Sequence, residues 1–134
     1  MSRYDHRVTL RQIEEYARRS QEICTGRSLK ELLADWQATL ALERALEILG
    51  EAVRRLPDDL RNSYPQVEWR AVAGMRDRLT HGYDAIDHDI IWRTVHERLP
   101  VLLTTVAQML RDLGSDEGRI QLVADGGTHL PCPH

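Results

Sequence analysis

The stretch that decides the fold is LKELLADWQATLALERALEILGEAVRRL, residues 29–56. Apolar side chains recur in it at steps of four and three, the spacing of one face of an α-helix. Two further apolar residues widen the stripe, so we expect this helix to contact more than one neighbour. The stripe consists of Ala38, Leu42, Ala45, Leu49, Ala52 and Leu56, and it is widened by Leu46 and Val53.

We predict a single helix over Leu29–Leu56. Ser28 and Glu31 have the spacing of a capping box at its start, and Pro57 ends it. Such a helix would be roughly 42 Å long, which suits the central element of a helical bundle.

The same helical periodicity continues on both sides of this stretch, with no alternation typical of strands. We therefore predict an all-α fold, a four- to five-helix up-and-down bundle formed by residues 1–113. Residues 114–134 are rich in Gly and Pro and are predicted to be a flexible C-terminal tail. The other predicted helices are Asp5–Cys24, a short segment from Asp58 to about Pro65, Val67 to Thr80 or His81, and Ile90–Leu113, the last capped by Asp87 or Asp89 and kinked at Pro100.

Composition limits the function classes only loosely. The chain has 134 residues, 42% of them hydrophobic, and a net charge of −3, so a nucleic-acid partner is not indicated by charge alone. Lys30 is the single lysine among 18 basic residues, and Arg suits bidentate phosphate contacts. A GC-rich genome would produce the same bias. No signal peptide, long apolar run or C-x-x-C pair is present in the sequence. We therefore expect a cytoplasmic protein that does not bind a membrane and needs no cofactor or metal ion.

The side chains best suited to catalysis lie together in the stretch RDRLTHGY, residues 76–83. Arg76 can bind phosphate, His81 can transfer protons near neutral pH, and Tyr83 adds a hydroxyl. On an ideal helix, Arg76 and His81 lie about 140° apart. They converge only if the helix unwinds at Gly82 or a second chain meets the same edge. The spacing alone favours a purely structural role, with His81 stabilised at a helix C-terminus.

The pattern R-x-x-x-x-H-x-Y formed by Arg76, His81 and Tyr83 resembles the signature of the HepT-like HEPN family. The surroundings of the motif are similar as well. They comprise Tyr64-Pro65, Trp69-Arg70, Gly74-Met75 and Leu79 before His81, and a downstream Asp-rich turn, Trp92 and Leu99-Pro100.

The resemblance implies a metal-independent endoribonuclease that acts as a homodimer, with two copies of the motif facing each other. It implies that Arg76 stabilises the scissile phosphate, that His81 handles a proton as the RNA 2′-hydroxyl attacks, and that Asp77 orients one of them. It further implies a toxin that is silenced when a partner nucleotidyltransferase antitoxin attaches AMP to Tyr83. Arg70 and Arg78 are additional candidates for RNA contact.

A second function stays open at this point. A non-catalytic HEPN domain could serve only as a helical binding partner of a nucleotidyltransferase. The presence of Arg76, His81 and Tyr83 together favours the ribonuclease, because a scaffold does not need all of them. Other polar residues have ordinary interpretations: His88 and His96 are expected at the surface, and Trp69 is expected to pack in the core or at the dimer contact rather than to stack on a base.

Overall fold

The computed structural model describes residues 5–81 and 87–124, except for the side chains of residues 80, 81 and 115–124. Within these ranges every regular element is helical. In chain order they are α1 (His6–Cys24), α2 (Leu29–Ala34), α3 (Trp36–Arg54), α4 (Asp58–Asn62), α5 (Trp69–His81), α6 (His88–Arg93), a π-helical turn (Thr94–Arg98) and α7 (Leu99–Ala124).

The four long helices form one bundle around a common core. Helix α3 packs against both α1 and α5, and α1 also packs against α7. The wide apolar stripe therefore has two neighbours, as its width predicted. The all-α prediction is confirmed. The deeply buried side chains of the core include Leu10, Ile13, Ala17, Leu42, Leu46, Leu49, Ala52, Val53, Leu56, Val72, Leu99, Leu102, Val106 and Met109.

The prediction of one continuous helix over Leu29–Leu56 is wrong, because the chain leaves helical geometry at Asp35. The backbone there is extended, with φ −103° and ψ 96°, and the Asp35 carboxylate accepts from the backbone N–H of Ala38 at 3.1 Å. Asp35 thus ends α2 and caps the N-terminus of α3, which is a preferred role for Asp. The predicted capping box of Ser28 and Glu31 is confirmed at the start of α2.

The prediction of one kinked helix over Ile90–Leu113 also needs correction. Asp87 caps α6, as expected, but a π-helical turn separates α6 from α7. The backbone N–H of Leu99 reaches back to the carbonyl of Thr94, the wide spacing of a π-turn. Pro100 follows at once and has no N–H to donate, so the widened turn accommodates a residue that an ordinary helix interior would not.

Helix α7 continues to Ala124, eleven residues beyond the predicted end at Leu113. Residues 114–124 are therefore helical, while residues 125–134 lie outside the described part. The flexibility of the tail remains a prediction. No helix among the described residues combines the length and the apolar character needed to cross a membrane.

Tyr64 ties the segment before α5 to α7. Its hydroxyl donates a hydrogen bond to Asp112, and its backbone carbonyl accepts from the indole of Trp69 at 3.0 Å. Burial of the Tyr64 hydroxyl is the larger cause, and its contact with the Asp112 carboxylate the smaller one, of a rise in the pKa of Tyr64 to about 12. The same hydrogen bond lowers the pKa of Asp112.

We predict that Tyr64→Phe lowers the free energy of unfolding at pH 7, and that this difference from wild type depends on pH. The lowered pKa of Asp112 stabilises the folded chain above about pH 4, and this contribution is lost as pH falls. The raised pKa of Tyr64 stabilises below about pH 10, and this contribution is lost towards pH 12. Urea denaturation of both proteins at pH 3, 7 and 11 should show the largest difference at pH 7. A difference that does not change with pH would contradict the prediction.

Candidate active site

The candidate site is built where α5 lies against α3. The contact is close at Gly50: a Cβ placed there would lie 3.1 Å from the carbonyl oxygen of Ala73 and 3.1 Å from the backbone nitrogen of Arg76. These neighbours are backbone atoms that cannot rotate aside. Glycine at this position therefore lets the two helix backbones approach, and the approach occurs at Arg76 itself.

Arg76 is held by a carboxylate from the neighbouring helix. Its Nε lies 2.7 Å from Oε2 of Glu51, the residue that follows Gly50 on α3. Its Nη1 lies 3.6 Å from Oδ1 of Asp77, a longer contact with the next residue on α5. The guanidinium is thus flanked by two carboxylates, and the shorter contact crosses between helices.

Asp77 is engaged from α3 as well. Its Oδ2 accepts a short hydrogen bond from Nη2 of Arg54, which lies three residues after Glu51 on α3. Glu51 and Arg54 on α3 thus face Arg76 and Asp77 on α5 as two cross-helix ion pairs. We call these four residues the α3–α5 quartet.

The quartet carries no net formal charge and lies at the surface. Its side chains are between 35% exposed for Arg76 and 49% exposed for Asp77. Ion pairs with this exposure contribute about 0–1 kcal/mol each to stability. The arrangement therefore does little to hold the bundle together, and its main physical effect is to orient the side chains.

A cleft of about 250 Å³ opens beside Arg76, between it and the exposed face of α3. Arg55 and Ile48 form part of its wall, together with Glu51. A bidentate contact between Arg and a phosphate is stronger than an exposed pair with a carboxylate. An anionic group that enters this cleft can therefore compete with Glu51 for the guanidinium of Arg76.

The other predicted site residues fall in different places. His81 is the last residue of α5, so it lies on the same helix as Arg76, but its side chain is outside the described part. Tyr83 lies outside the described residues altogether. Arg78 is exposed on α5, and Arg70 lines a separate cleft of about 650 Å³ with Trp69 and Arg61. The structure thus joins Arg76 and Asp77 and leaves Arg70 away from them.

The remaining polar candidates have structural roles. Trp69 is 7% exposed and packs in the core, which confirms the packing interpretation. His88 pairs with Glu43 at 3.1 Å, and Nδ1 of His96 contacts the carbonyl of Trp92 at 2.8 Å. Among the residues that the structure describes, no group of three or more His, Cys, Asp or Glu side chains could hold a metal ion.

The chain is similar to known proteins over most of its length. A family model described as "Ribonuclease HepT-like" matches residues 13–109, from within α1 to within α7. The chain belongs to the HepT-like ribonuclease family. The match contains the whole α3–α5 quartet, His81 and Tyr83.

Individual relatives carry names that agree with the family. A protein of Methanocaldococcus jannaschii named "Putative RNase" is 36% identical over 121 residues, which cover 90% of this chain and 100% of the relative. A protein of Thermococcus cleftensis named "Probable ribonuclease HepT" is 41% identical over 90 residues, which cover 67% of this chain and 76% of the relative. No solved structure matches the chain significantly.

Gly50, Glu51 and Arg54 are the residues near Arg76 that sequence reasoning missed. They lie 23 to 26 positions before the residues they contact, and periodicity on one helix does not reveal which polar residues face another. One signal was available. Gly50 interrupts a strongly helical apolar stripe, where glycine costs about 1 kcal/mol relative to Ala, and such a glycine indicates a close approach.

We predict that Gly50→Ala lowers the free energy of unfolding by about 1 kcal/mol. Overpacking against the α5 backbone costs about 1–3 kcal/mol, and the better helix propensity of Ala offsets about 1 kcal/mol of this. Gly74→Ala on α5 is the matched control, because nothing lies within 4 Å of a Cβ there. The control should stabilise by up to about 1 kcal/mol. Urea denaturation compares the two, and effects of the same sign would contradict the prediction.

Proposed function

We propose that this member of the HepT-like ribonuclease family is a metal-independent endoribonuclease that cleaves RNA through attack of its own 2′-hydroxyl. The observation that carries the proposal is the position of Arg76. Its partly exposed guanidinium borders a cleft, on the same helix that ends at His81. A group that can bind phosphate thus lies about one and a half turns from a residue suited to proton transfer, which supports the proposal.

The proposed reaction needs no cofactor. The 2′-oxygen loses its proton and bonds to the adjacent phosphorus, while the bond from phosphorus to the 5′-oxygen breaks and that oxygen gains a proton. The products are a 2′,3′-cyclic phosphate and a 5′-hydroxyl. Arg76 stabilises the charge that builds on the phosphate oxygens. His81 handles a proton in one of the two transfers, and Asp77 orients Arg76 or His81.

A homodimer is part of the proposal. A single α5 separates Arg76 and His81 by about 140° around its axis, so one chain presents them on different sides. A second chain that meets the same edge would bring the Arg76 of one copy near the His81 of the other. Two-fold pairing is the commonest way to form such a cleft.

We predict that the free protein cleaves single-stranded RNA in the presence of EDTA and leaves 2′,3′-cyclic phosphate ends. His81→Ala should lower the rate by about 10²- to 10⁴-fold, the usual share of one general acid or base. Arg76→Ala should have a loss of similar size through lost charge stabilisation. Analysis of the RNA termini distinguishes this chemistry from metal-dependent hydrolysis.

The control for these variants is Arg18→Ala, an exposed change on α1 that leaves the quartet intact. It tests whether loss of any exposed arginine reduces cleavage through general electrostatics. Activity that disappears in EDTA and returns with a divalent ion would overturn the metal-independent mechanism. A wild-type protein that binds a nucleotidyltransferase but never cleaves RNA would instead support the non-catalytic alternative.

The proposed biological role is that of a toxin whose antitoxin is a nucleotidyltransferase. The antitoxin would transfer AMP from ATP to the Tyr83 hydroxyl and release pyrophosphate. Tyr83 follows His81 by two residues, so the added phosphate would lie near the proton-transfer group and repel the RNA backbone. The attached anion could also occupy the Arg76 guanidinium, which RNA needs.

We predict that Tyr83→Phe still cleaves RNA but escapes silencing by the nucleotidyltransferase and ATP. The substitution keeps the ring and removes only the oxygen that accepts AMP. Cleavage assays with and without partner and ATP give the result, and intact-mass measurement shows whether AMP is attached. A variant that is inactive by itself would place Tyr83 among the catalytic residues. An active variant that partner and ATP still silence would show that inhibition does not pass through this hydroxyl.

A further inference from the structure

We propose that Glu51 is a positioning residue for the ribonuclease reaction, acting through Arg76. The inference rests on the proposed function of Arg76 and extends it to a residue on a different helix. Glu51 lies outside the R-x-x-x-x-H-x-Y pattern, 25 positions before Arg76. Its carboxylate nevertheless makes the shortest ion pair to the Arg76 guanidinium among the described residues, at 2.7 Å.

This contact restrains the Arg76 side chain and leaves most of its N–H donors available. Glu51 meets the guanidinium at Nε, the nitrogen nearest the aliphatic stem. A guanidinium carries five N–H donors, and one carboxylate engages at most two of them. Most donors of Arg76 therefore remain for a phosphate, while the contact at Nε limits rotation of the guanidinium plane.

The backbones that carry Glu51 and Arg76 are closely packed. Gly50 lets α3 approach the α5 backbone at Arg76, with 3.1 Å between a virtual Cβ and the Arg76 nitrogen. The anchoring carboxylate and the anchored guanidinium thus start from two adjacent backbones and are joined by short side-chain paths. A long, flexible Arg side chain loses less freedom on binding phosphate when it is held in this way.

A contribution to folding stability does not explain the Glu51–Arg76 ion pair. Glu51 is 46% exposed and Arg76 is 35% exposed, so their ion pair contributes about 0–1 kcal/mol. A carboxylate beside a phosphate-binding Arg also repels RNA, which weakens binding. A residue that adds little stability and opposes substrate binding is best explained by an effect on the reacting geometry.

This reasoning predicts opposite effects on binding and on turnover. Glu51→Ala should lower kcat by about 10- to 100-fold, because misplacement of a catalytic group by about 1 Å costs roughly 10²-fold. Affinity for a non-cleavable 2′-O-methyl RNA should rise, because one negative charge beside Arg76 is gone. Glu51→Gln keeps an acceptor oxygen and should recover part of the lost kcat. A merely structural role would reduce affinity, kcat and thermal stability together.

Glu43→Gln is the matched control. Glu43 lies roughly two turns earlier on α3. It pairs with His88 at 3.1 Å and is not among the described residues that line the cleft at Arg76. The variant removes the same charge from the same helix and should raise RNA affinity only slightly while kcat stays at the wild-type value. Equal kcat for wild type, Glu43→Gln and Glu51→Ala would overturn the proposal.

A double-mutant cycle in RNA binding tests the route through Arg76 independently of cleavage. The gain in affinity from Glu51→Gln for the 2′-O-methyl RNA should be clearly smaller when Arg76 is replaced by Ala, because only the loss of general charge repulsion then remains. If the full gain persists, Glu51 does not act through Arg76 and the inference fails. Absence of cleavage by the wild-type protein would refute the proposed function alone, because the binding cycle still reports whether the two residues are coupled.

Discussion

The close approach of α3 and α5 at Gly50 is the constraint on which the candidate site depends. With any larger residue, the backbone of α5 would have to move by a few tenths of an ångström, and Arg76 and Asp77 would move with it. Helices with ordinary side chains at the contact lie about 8–10 Å apart. A glycine at the contact permits an interaxial distance at the short end of this range. Two charged pairs then reach across the helix boundary with short side-chain paths.

The ion pairs of the quartet matter more for the orientation of their side chains than for the stability of the fold. Each of its ion pairs is too solvent-accessible to add much to folding, whereas the buried side chains of α1, α3, α5 and α7 supply a continuous apolar core. The bundle can therefore keep its fold while the quartet exchanges partners. This separation lets the Arg76 guanidinium leave a carboxylate for a phosphate without loosening the helices that carry it.

The sequence was sufficient for the helical fold but not for its interruptions. The apolar stripe of α3 follows from local spacing, and its burial against two neighbours was predicted from its width. The break at Asp35 was missed because a continuous period on both sides outweighed a single capping residue. The π-turn before Pro100 was missed for a related reason, since proline indicates a disturbance but not whether the helix bends or widens.

The site was predicted in part. Arg76 and Asp77 come from a short contiguous motif, and the structure places them together. Glu51 and Arg54 are brought to them by packing between distant segments, which a single sequence does not encode in its spacing. Arg70 shares α5 with Arg76 but lies six residues earlier, about a third of a turn away around the axis, and borders a different cleft.

The electrical neutrality of the quartet has a kinetic consequence. Strong steering of a polyanion requires an extended positive field, and this chain has a net charge of −3 and a site whose four formal charges cancel. If the protein acts as proposed, diffusional encounter with RNA is close to unsteered, and capture begins only when a phosphate comes within contact distance of Arg76. The protein would then sample RNA by brief collisions rather than by sliding along it. Strands already held open and nearby, for instance on a larger assembly, would be met far more often than free RNA in bulk solution.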